Sequence, residues 1–146
     1  MSTEQNKAKE QRLVAEALNQ GNLAVLDECL APDFIYHGPG RREVKGIKGF
    51  KQFLAELRAA YPDMHVTIEN ILAEGDLVAT RTFSTFTFTG KVGDVTPTGR
   101  KVSMTGSIVD RFRGNKIAET WELYDRLELY QQLGLIPANP PTTLSS

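Results

Sequence analysis

The stretch from residue 64 to residue 125 alternates apolar and polar side chains, and it constrains the fold more than any other feature of the chain. Its β-branched and aromatic residues form four runs, which are separated at residues 74–76, 90–99 and 114–115. Alternation is typical of strands with one buried face, and breaks rich in turn-forming residues join neighbouring antiparallel strands. The pattern therefore predicts an antiparallel meander of four strands.

Three helices are predicted before this meander and a short one after it. Apolar residues recur at helical spacing in the first segment, the second ends at Pro32, and the third breaks at Pro62 after an apolar stripe of Ile47, Phe50, Phe53, Leu54 and Leu57. A short extended segment, residues 33–37, lies between the second and third helices. Helices that cover one face of a bent antiparallel sheet make an α+β fold with a pocket between the layers.

Composition excludes several classes of partner. The 146 residues include 17 Lys and Arg against 18 Asp and Glu, a balance that predicts neither a nucleic-acid nor a membrane partner. Cys29 is the only cysteine, so no intrachain disulfide is expected. Without a membrane-length apolar run or a signal-peptide pattern, we expect a cytoplasmic protein. Its single domain spans residues 1–146, with an ordered core from about residue 7 to residue 135 and a flexible tail.

The turn at Gly114-Asn115 predicts the register of the last two strands. A two-residue hairpin loop of this type needs positive φ at both central residues, and it sets Met104 opposite Asp125 on the more apolar, inward face. Trp121 shares that face. Loss of water raises the pKa of a carboxyl group, so an inward Asp125 could exchange protons near neutral pH. The alternative is that Asp125 caps the helix that starts near Leu127.

The same register sets two acids, Asp110 and Glu119, directly opposite each other. Like charges across a strand pair repel unless a cation lies between them, and Arg81 is the candidate for that cation. One interpretation is a structural ion cluster of these three side chains. The other is that Arg81 or the acids line the pocket and hold a polar group of the ligand.

Four segments carry a resemblance to a known family: YPDMHVTIENILAEGDLVATR, TPTGRKV, DRFRGNKIAETWELYD and QQLGL. Together they resemble the SnoaL-like polyketide cyclases, or ester cyclases, of the nuclear-transport-factor-2-like superfamily. The resemblance implies a cone-shaped α+β barrel with a central cavity, and a homodimer formed through the sheet. It also implies aldol ring closure in an anthracycline-type methyl ester precursor, without metal or organic cofactor. The aspartate that serves as acid/base on the last long strand of the family matches Asp125.

We expect the remaining site residues to contact a small hydrophobic ligand: His37, Arg81, Trp121, Met104 and Phe88. His37 matches a position where relatives often have histidine, whereas Phe88 stands where relatives often have one. The spacing of His37 and His65 is not a metal-binding signature. Two alternatives stay open at this point. One is a ligand-binding domain without catalytic activity, and the other is a hydrolase or isomerase, for which Asp110 and Glu119 would position water.

Overall fold

In the computed structural model, which describes residues 2–92 and 94–137, helices pack against one face of a curved, unclosed sheet of six strands. The helices are α1 (Thr3–Arg12), α2 (Val25–Cys29), α3 (Gly46–Ala60) and α4 (Arg126–Leu133), and α1 continues as a π-helix over Leu13–Asn19. The strands are β1 (Leu30–Gly38), β2 (Arg42–Lys45), β3 (His65–Glu74), β4 (Leu77–Thr87), β5 (Lys101–Arg113) and β6 (Lys116–Tyr124). The predicted α+β class is confirmed. Most of the predicted tail lies outside the described residues.

The sheet is mixed rather than purely antiparallel. Its strand order is β2-β1-β6-β5-β4-β3, and the predicted meander of β3 to β6 is confirmed. The difference arises because β1 pairs in parallel with β6, while β2 pairs antiparallel with β1. Residues 42–45 complete the sheet edge as β2, a strand that was not predicted, and Gly46, at φ 79°, marks the change to helix α3.

The two long helices lie on the sheet through faces of different chemistry. A capping box between Ser2 and Gln5 starts α1, and its buried face carries the polar residues Asn6 and Glu10. By contrast, α3 buries aromatic and aliphatic side chains, and the rings of Phe50 and Phe34 meet edge to face at 5.1 Å. Helix α1 therefore brings polar groups to a layer that is otherwise apolar.

The hairpin between β5 and β6 contains a β-bulge that the sequence analysis missed. The first pairs, Arg113 with Lys116 and Phe112 with Ile117, are as predicted, but only Gly114 of the turn has positive φ. The register then shifts by one residue at Ala118, so that Glu119 lies opposite Arg111 rather than Asp110. A shift of one residue turns every following side chain to the other face of the sheet.

As a result, the two faces of β6 are exchanged relative to the prediction. Thr120, Glu122 and Tyr124 face the helices, whereas Glu119, Trp121 and Leu123 face outward. Ile117 and Ala118 are consecutive and both buried, which is the mark of the extra residue in an alternating strand.

Gly90 lets the chain after β4 approach the end of α3, and this contact gives the first testable prediction. Its N–H donates to the Ala60 carbonyl at 2.8 Å, and a Cβ at Gly90 would lie 2.1 Å from the Ala59 carbonyl oxygen. Because that neighbour is backbone, Gly90→Ala should lower the free energy of unfolding by about 2 kcal/mol or more.

The matched control is Gly49→Ala in the interior of α3, where the new methyl group would touch only Val44 at an ordinary 3.4 Å. This substitution should stabilise the fold by up to about 1 kcal/mol, because alanine has the higher helix propensity. Urea unfolding of both variants measures the difference. Equal stability of Gly90→Ala and the wild type would show that the loop does not need this close approach.

Candidate functional site

A cavity of 540 Å³ lies between the helices and the inward face of the sheet. Its wall is largely apolar and aromatic, including Phe34, Phe50, Phe86, Phe88, Met104 and Leu129. This volume is within the range of sites that enclose small organic molecules, roughly 300–1,000 Å³. The fold thus provides the cavity that the sequence analysis predicted.

Three acidic side chains line this apolar cavity. Glu10 is supplied by α1 and Asp110 by β5, and they are only 2% and 1% exposed. Glu122, on β6, keeps some exposure and also lines the cavity. Helical spacing brings Glu10 to the same face as the buried Val14, and the bulge turns Glu122 inward.

Few hydrogen-bond donors face these carboxyl groups. The Thr120 hydroxyl donates to Asp110 Oδ1 at 2.5 Å, and the Tyr36 phenol donates to Glu122 Oε1. Asp110 Oδ2 is buried and accepts no hydrogen bond from an N–H or hydroxyl group of the described residues. No lysine or arginine among residues 2–92 and 94–137 forms an ion pair with any of the three acids.

The cavity favours the protonated form of its acids. Burial raises the pKa of Glu10 well above its usual range, and the neighbouring charge of Asp110 raises it further. Burial also raises the pKa of Asp110, although hydrogen bonds from Glu10 and Thr120 oppose this effect. Two adjoining buried carboxyl groups do not both ionise readily, so the pair favours a state in which at least one of them keeps its proton.

Glu122 and Tyr36 form a second ionisable pair in the cavity. Burial is the largest cause that raises the pKa of Glu122; the Tyr36 hydrogen bond opposes it and the Asp110 charge adds to it. Burial also raises the pKa of Tyr36, so its phenol keeps the proton that it donates. Glu122 is therefore a carboxyl group that can take up and release a proton beside a fixed donor.

Asp125 does not lie in the cavity. Strand β6 ends at Tyr124, and the exposed Asp125 is the N-cap of α4, where its Oδ1 accepts a hydrogen bond from the Glu128 N–H at 3.0 Å. Its predicted position opposite Met104 is wrong, because the bulge shifts the register of β6 by one residue and the last pair of β5 with β6 is Gly106 with Tyr124. The capping alternative describes the geometry, and the catalytic role assigned to Asp125 stays a prediction.

His37 and Trp121 lie on the outward face of the sheet, whereas the prediction placed them in contact with a ligand in the cavity. Their rings stack with centroids 5.5 Å apart, and His37 Nε2 lies 2.6 Å from Glu119 Oε2. Trp121 is 39% exposed. The physical reason is again the register, because β1 pairs His37 with Trp121 after the bulge has turned Trp121 outward.

The predicted ion cluster of Arg81, Asp110 and Glu119 does not form. Arg81 is exposed and donates to Asn70 Oδ1 at 2.8 Å, on the opposite face from Asp110. Glu119 instead accepts a hydrogen bond from Arg111 at 3.1 Å, and its contacts with His37 and Arg111 lower its pKa. The predicted register contained no bulge, and for that reason it set Asp110 and Glu119 on the same face of the sheet.

Met104 and Phe88 do line the cavity, as expected, and Phe88 is fully buried. Their contact with a ligand stays a prediction. The sequence analysis missed Glu10, Glu122, Tyr36 and Thr120. A signal for Glu10 was present, since it lies four residues before Val14 on the apolar stripe of the first helix.

Two further properties of the described part of the chain bear on its function. It contains no group of three or more His, Cys, Asp or Glu side chains that could hold a metal ion. None of its helices combines the length and the apolar character needed to cross a membrane.

Comparisons with known proteins give a consistent family assignment. The model of the SnoaL-like polyketide cyclase family matches residues 8–133. IdmH, a candidate polyketide cyclase from Streptomyces antibioticus, is 33% identical; the match covers 89% of this chain and 99% of IdmH, with a TM-score of 0.78. A candidate SnoaL-like polyketide cyclase from Jannaschia sp. CCS1 is 25% identical, with 92% and 95% of the chains covered and a TM-score of 0.86.

A third similar structure carries a different activity name. AclR, a candidate hydroxylase from Streptomyces galilaeus, is 29% identical; the match covers 98% of this chain and 89% of AclR, with a TM-score of 0.84. The search of curated proteins found no match. Since the family model spans nearly the whole described chain and IdmH matches over almost its full length, this chain belongs to the SnoaL-like polyketide cyclase family.

Proposed function

We propose that this protein is a cyclase that closes a ring in a small hydrophobic carbonyl compound, with Glu122 as the acid/base. The observation that carries the proposal is a carboxyl group of raised pKa that faces an apolar cavity from the last strand. Membership of the SnoaL-like family supports the reaction class. The resemblance places an acid/base on the last long strand, and Glu122 is the acid of β6 that lines the cavity.

The proposed reaction is an intramolecular aldol addition. The Glu122 carboxylate removes a proton from the carbon α to one carbonyl, and the resulting enolate attacks a second carbonyl of the same molecule. The new carbon–carbon bond leaves an alkoxide, to which Glu122 returns its proton, so that atoms and charge balance. Once Glu122 has taken up the proton it no longer needs the hydrogen bond from Tyr36, whose phenol is then the donor that would stabilise the enolate oxygen.

The environment of Glu122 suits this role. A base works best when its pKa is close to the working pH, because it is then both ionised and strong enough to take a proton from carbon. Burial raises the pKa of Glu122, and the Tyr36 hydrogen bond limits that rise. The apolar wall also excludes water that would compete for the enolate.

The hydrolytic alternative loses the residues on which it depended. It required Asp110 and Glu119 to hold one water molecule, but the bulge places these acids on opposite faces of the sheet. A binding domain without catalytic activity is the alternative that the experiment below separates from a cyclase.

The outward face of the sheet carries large exposed apolar side chains, among them Phe83, Trp121 and Leu123. Exposed patches of this kind often mark protein interfaces. The homodimer through the sheet that the resemblance implies stays a prediction, and the molar mass in solution would test it.

The second prediction compares Glu122→Gln with Asp125→Asn. Glutamine keeps the shape of Glu122 but cannot take a proton, so ring closure should slow by about a hundredfold or more. Asparagine is as good a helix N-cap as aspartate, so Asp125→Asn should retain activity to within about twofold. Nuclear magnetic resonance in D₂O measures both ring closure and deuterium uptake α to the carbonyl, with an anthracycline-type methyl ester precursor as substrate.

The reverse result, an active Glu122→Gln and an inactive Asp125→Asn, would overturn the assignment of Glu122. If the wild-type protein binds the precursor but neither exchanges its α-protons nor closes the ring, the protein is a binding domain toward that compound.

The third prediction concerns stability and pH. The unfolded chain releases the Glu10 proton near pH 4.3, whereas the folded protein holds it to higher pH because burial raises the pKa. Between these pKa values the folded state binds more protons, so its free energy of unfolding falls by about 1.4 kcal/mol per pH unit as pH rises. Glu10→Gln removes this penalty, and the variant should therefore gain stability relative to the wild type as the pH rises above the unfolded-state pKa of Glu10, about 4.3.

Urea unfolding at a series of pH values measures this difference. Glu4→Gln is the control, because Glu4 is exposed on the same helix, and its effect should stay within about 0.5 kcal/mol at each pH. If the difference in free energy of unfolding between Glu10→Gln and the wild type does not change with pH, Glu10 is ionised in the folded protein across this range.

A further inference from the structure

The innermost part of the cavity has more hydrogen-bond acceptors than donors. Glu10 and Asp110 together present four carboxyl oxygens, and Thr120 supplies the one hydroxyl that donates to them among the described residues. Asp110 is 1% exposed, and its Oδ2 has no N–H or hydroxyl partner. A proton held between the two acids satisfies one further oxygen of the pair. The protein therefore leaves acceptors at this site for a ligand to fill.

The same place offers no counter-ion to its acids. Whenever one carboxyl group of the pair is ionised, its charge is costly in apolar surroundings unless a cation or donor approaches it. Arg42 and Lys91 are the basic residues that line the cavity, but both are exposed and neither pairs with these acids. The outer rim thus does not neutralise the innermost charge.

We propose that Glu10 and Asp110 form a subsite for a protonated amine on an otherwise apolar ligand. An ammonium group brings up to three donors and a positive charge, and so corrects both the donor deficit and the uncompensated charge. A hydroxyl group brings one donor and no charge. A metal ion fits less well, because Ca²⁺ and Mg²⁺ need about six oxygen ligands and the surrounding wall is apolar.

This inference rests on the proposed function in one respect, since it names the substrate class of the same cavity. Asp110 pairs with Thr120 and Glu122 pairs with Ile108. Asp110 and Glu122 are therefore diagonal neighbours on one face of the sheet. Diagonal neighbours have their α-carbons roughly 7–8 Å apart. An amine held by Asp110 would leave Glu122 free to act on a carbonyl segment a few bonds away.

The experiment measures binding without turnover. Naphthylmethylamine and the nearly isosteric naphthylmethanol are titrated into the full-length protein at neutral pH, with isothermal titration calorimetry as the readout. The wild type should bind the amine about tenfold more tightly than the alcohol or better. The double variant Glu10→Gln/Asp110→Asn should reduce this preference to about twofold or less, because it removes both ionisable groups of the pair, whereas either single substitution leaves one carboxyl group in place. Glu119→Gln, on the outward face of β6, should retain the preference.

Equal binding of the two probes by the wild type would overturn the amine subsite. A preference that survives in the double variant Glu10→Gln/Asp110→Asn would overturn its assignment to this pair. The proposed cyclase activity is tested separately by turnover in Glu122→Gln, so either proposal can fail while the other stands. The comparison of probes on the wild type also keeps the inference testable if one variant fails to fold.

Discussion

The extra residue at Ala118 decides which side chains the sheet presents to the cavity and which to the outside. Strands alternate with a period of two, so one inserted residue exchanges the faces of the rest of the strand. Because of the bulge, Glu122 and Thr120 face the cavity and Trp121 is exposed on the outward face. The chemistry that the cavity can perform therefore depends on a single local departure from regular pairing.

The acids that the bulge and α1 bring together have an energetic cost that the rest of the cavity does not offset. A buried carboxylate without a cation is unfavourable, and the structure answers this by raising the pKa of Glu10, Asp110 and Glu122 rather than by supplying a lysine or arginine. An apolar group at each position would pack at lower cost. Carboxyl groups whose pKa is raised by burial beside a cavity occur more often at functional sites than in ordinary cores, and this favours a functional interpretation of the cluster.

Much of the fold could be predicted from the sequence, because hydrophobic periodicity reports which face of each element is buried. The stripe on α3 and the four runs of the meander are examples. Long-range pairings carry no such signal: the parallel contact of β1 with β6 and the edge strand β2 depend on the assembled sheet. The site was harder to predict than the fold. Which acid near the end of β6 faces the cavity, Glu122 or Asp125, depends on the register shift, and the turn residues Gly114 and Asn115 do not specify that shift.

The bulge also determines which interactions each face of the sheet makes. The residues that it turns outward, Glu119 and Trp121, contact His37, so the outward face gains an ionic and aromatic cluster that the inward face lacks. Solvent can screen Glu119, whose pKa is lowered by His37 and Arg111, whereas the inward acids have raised pKa values. The two carboxyl groups of β6 thus differ in proton affinity, because Glu119 faces solvent and Glu122 faces the cavity. That contrast gives the strand one outer carboxyl group that favours the anionic form and one inner carboxyl group that favours the protonated form.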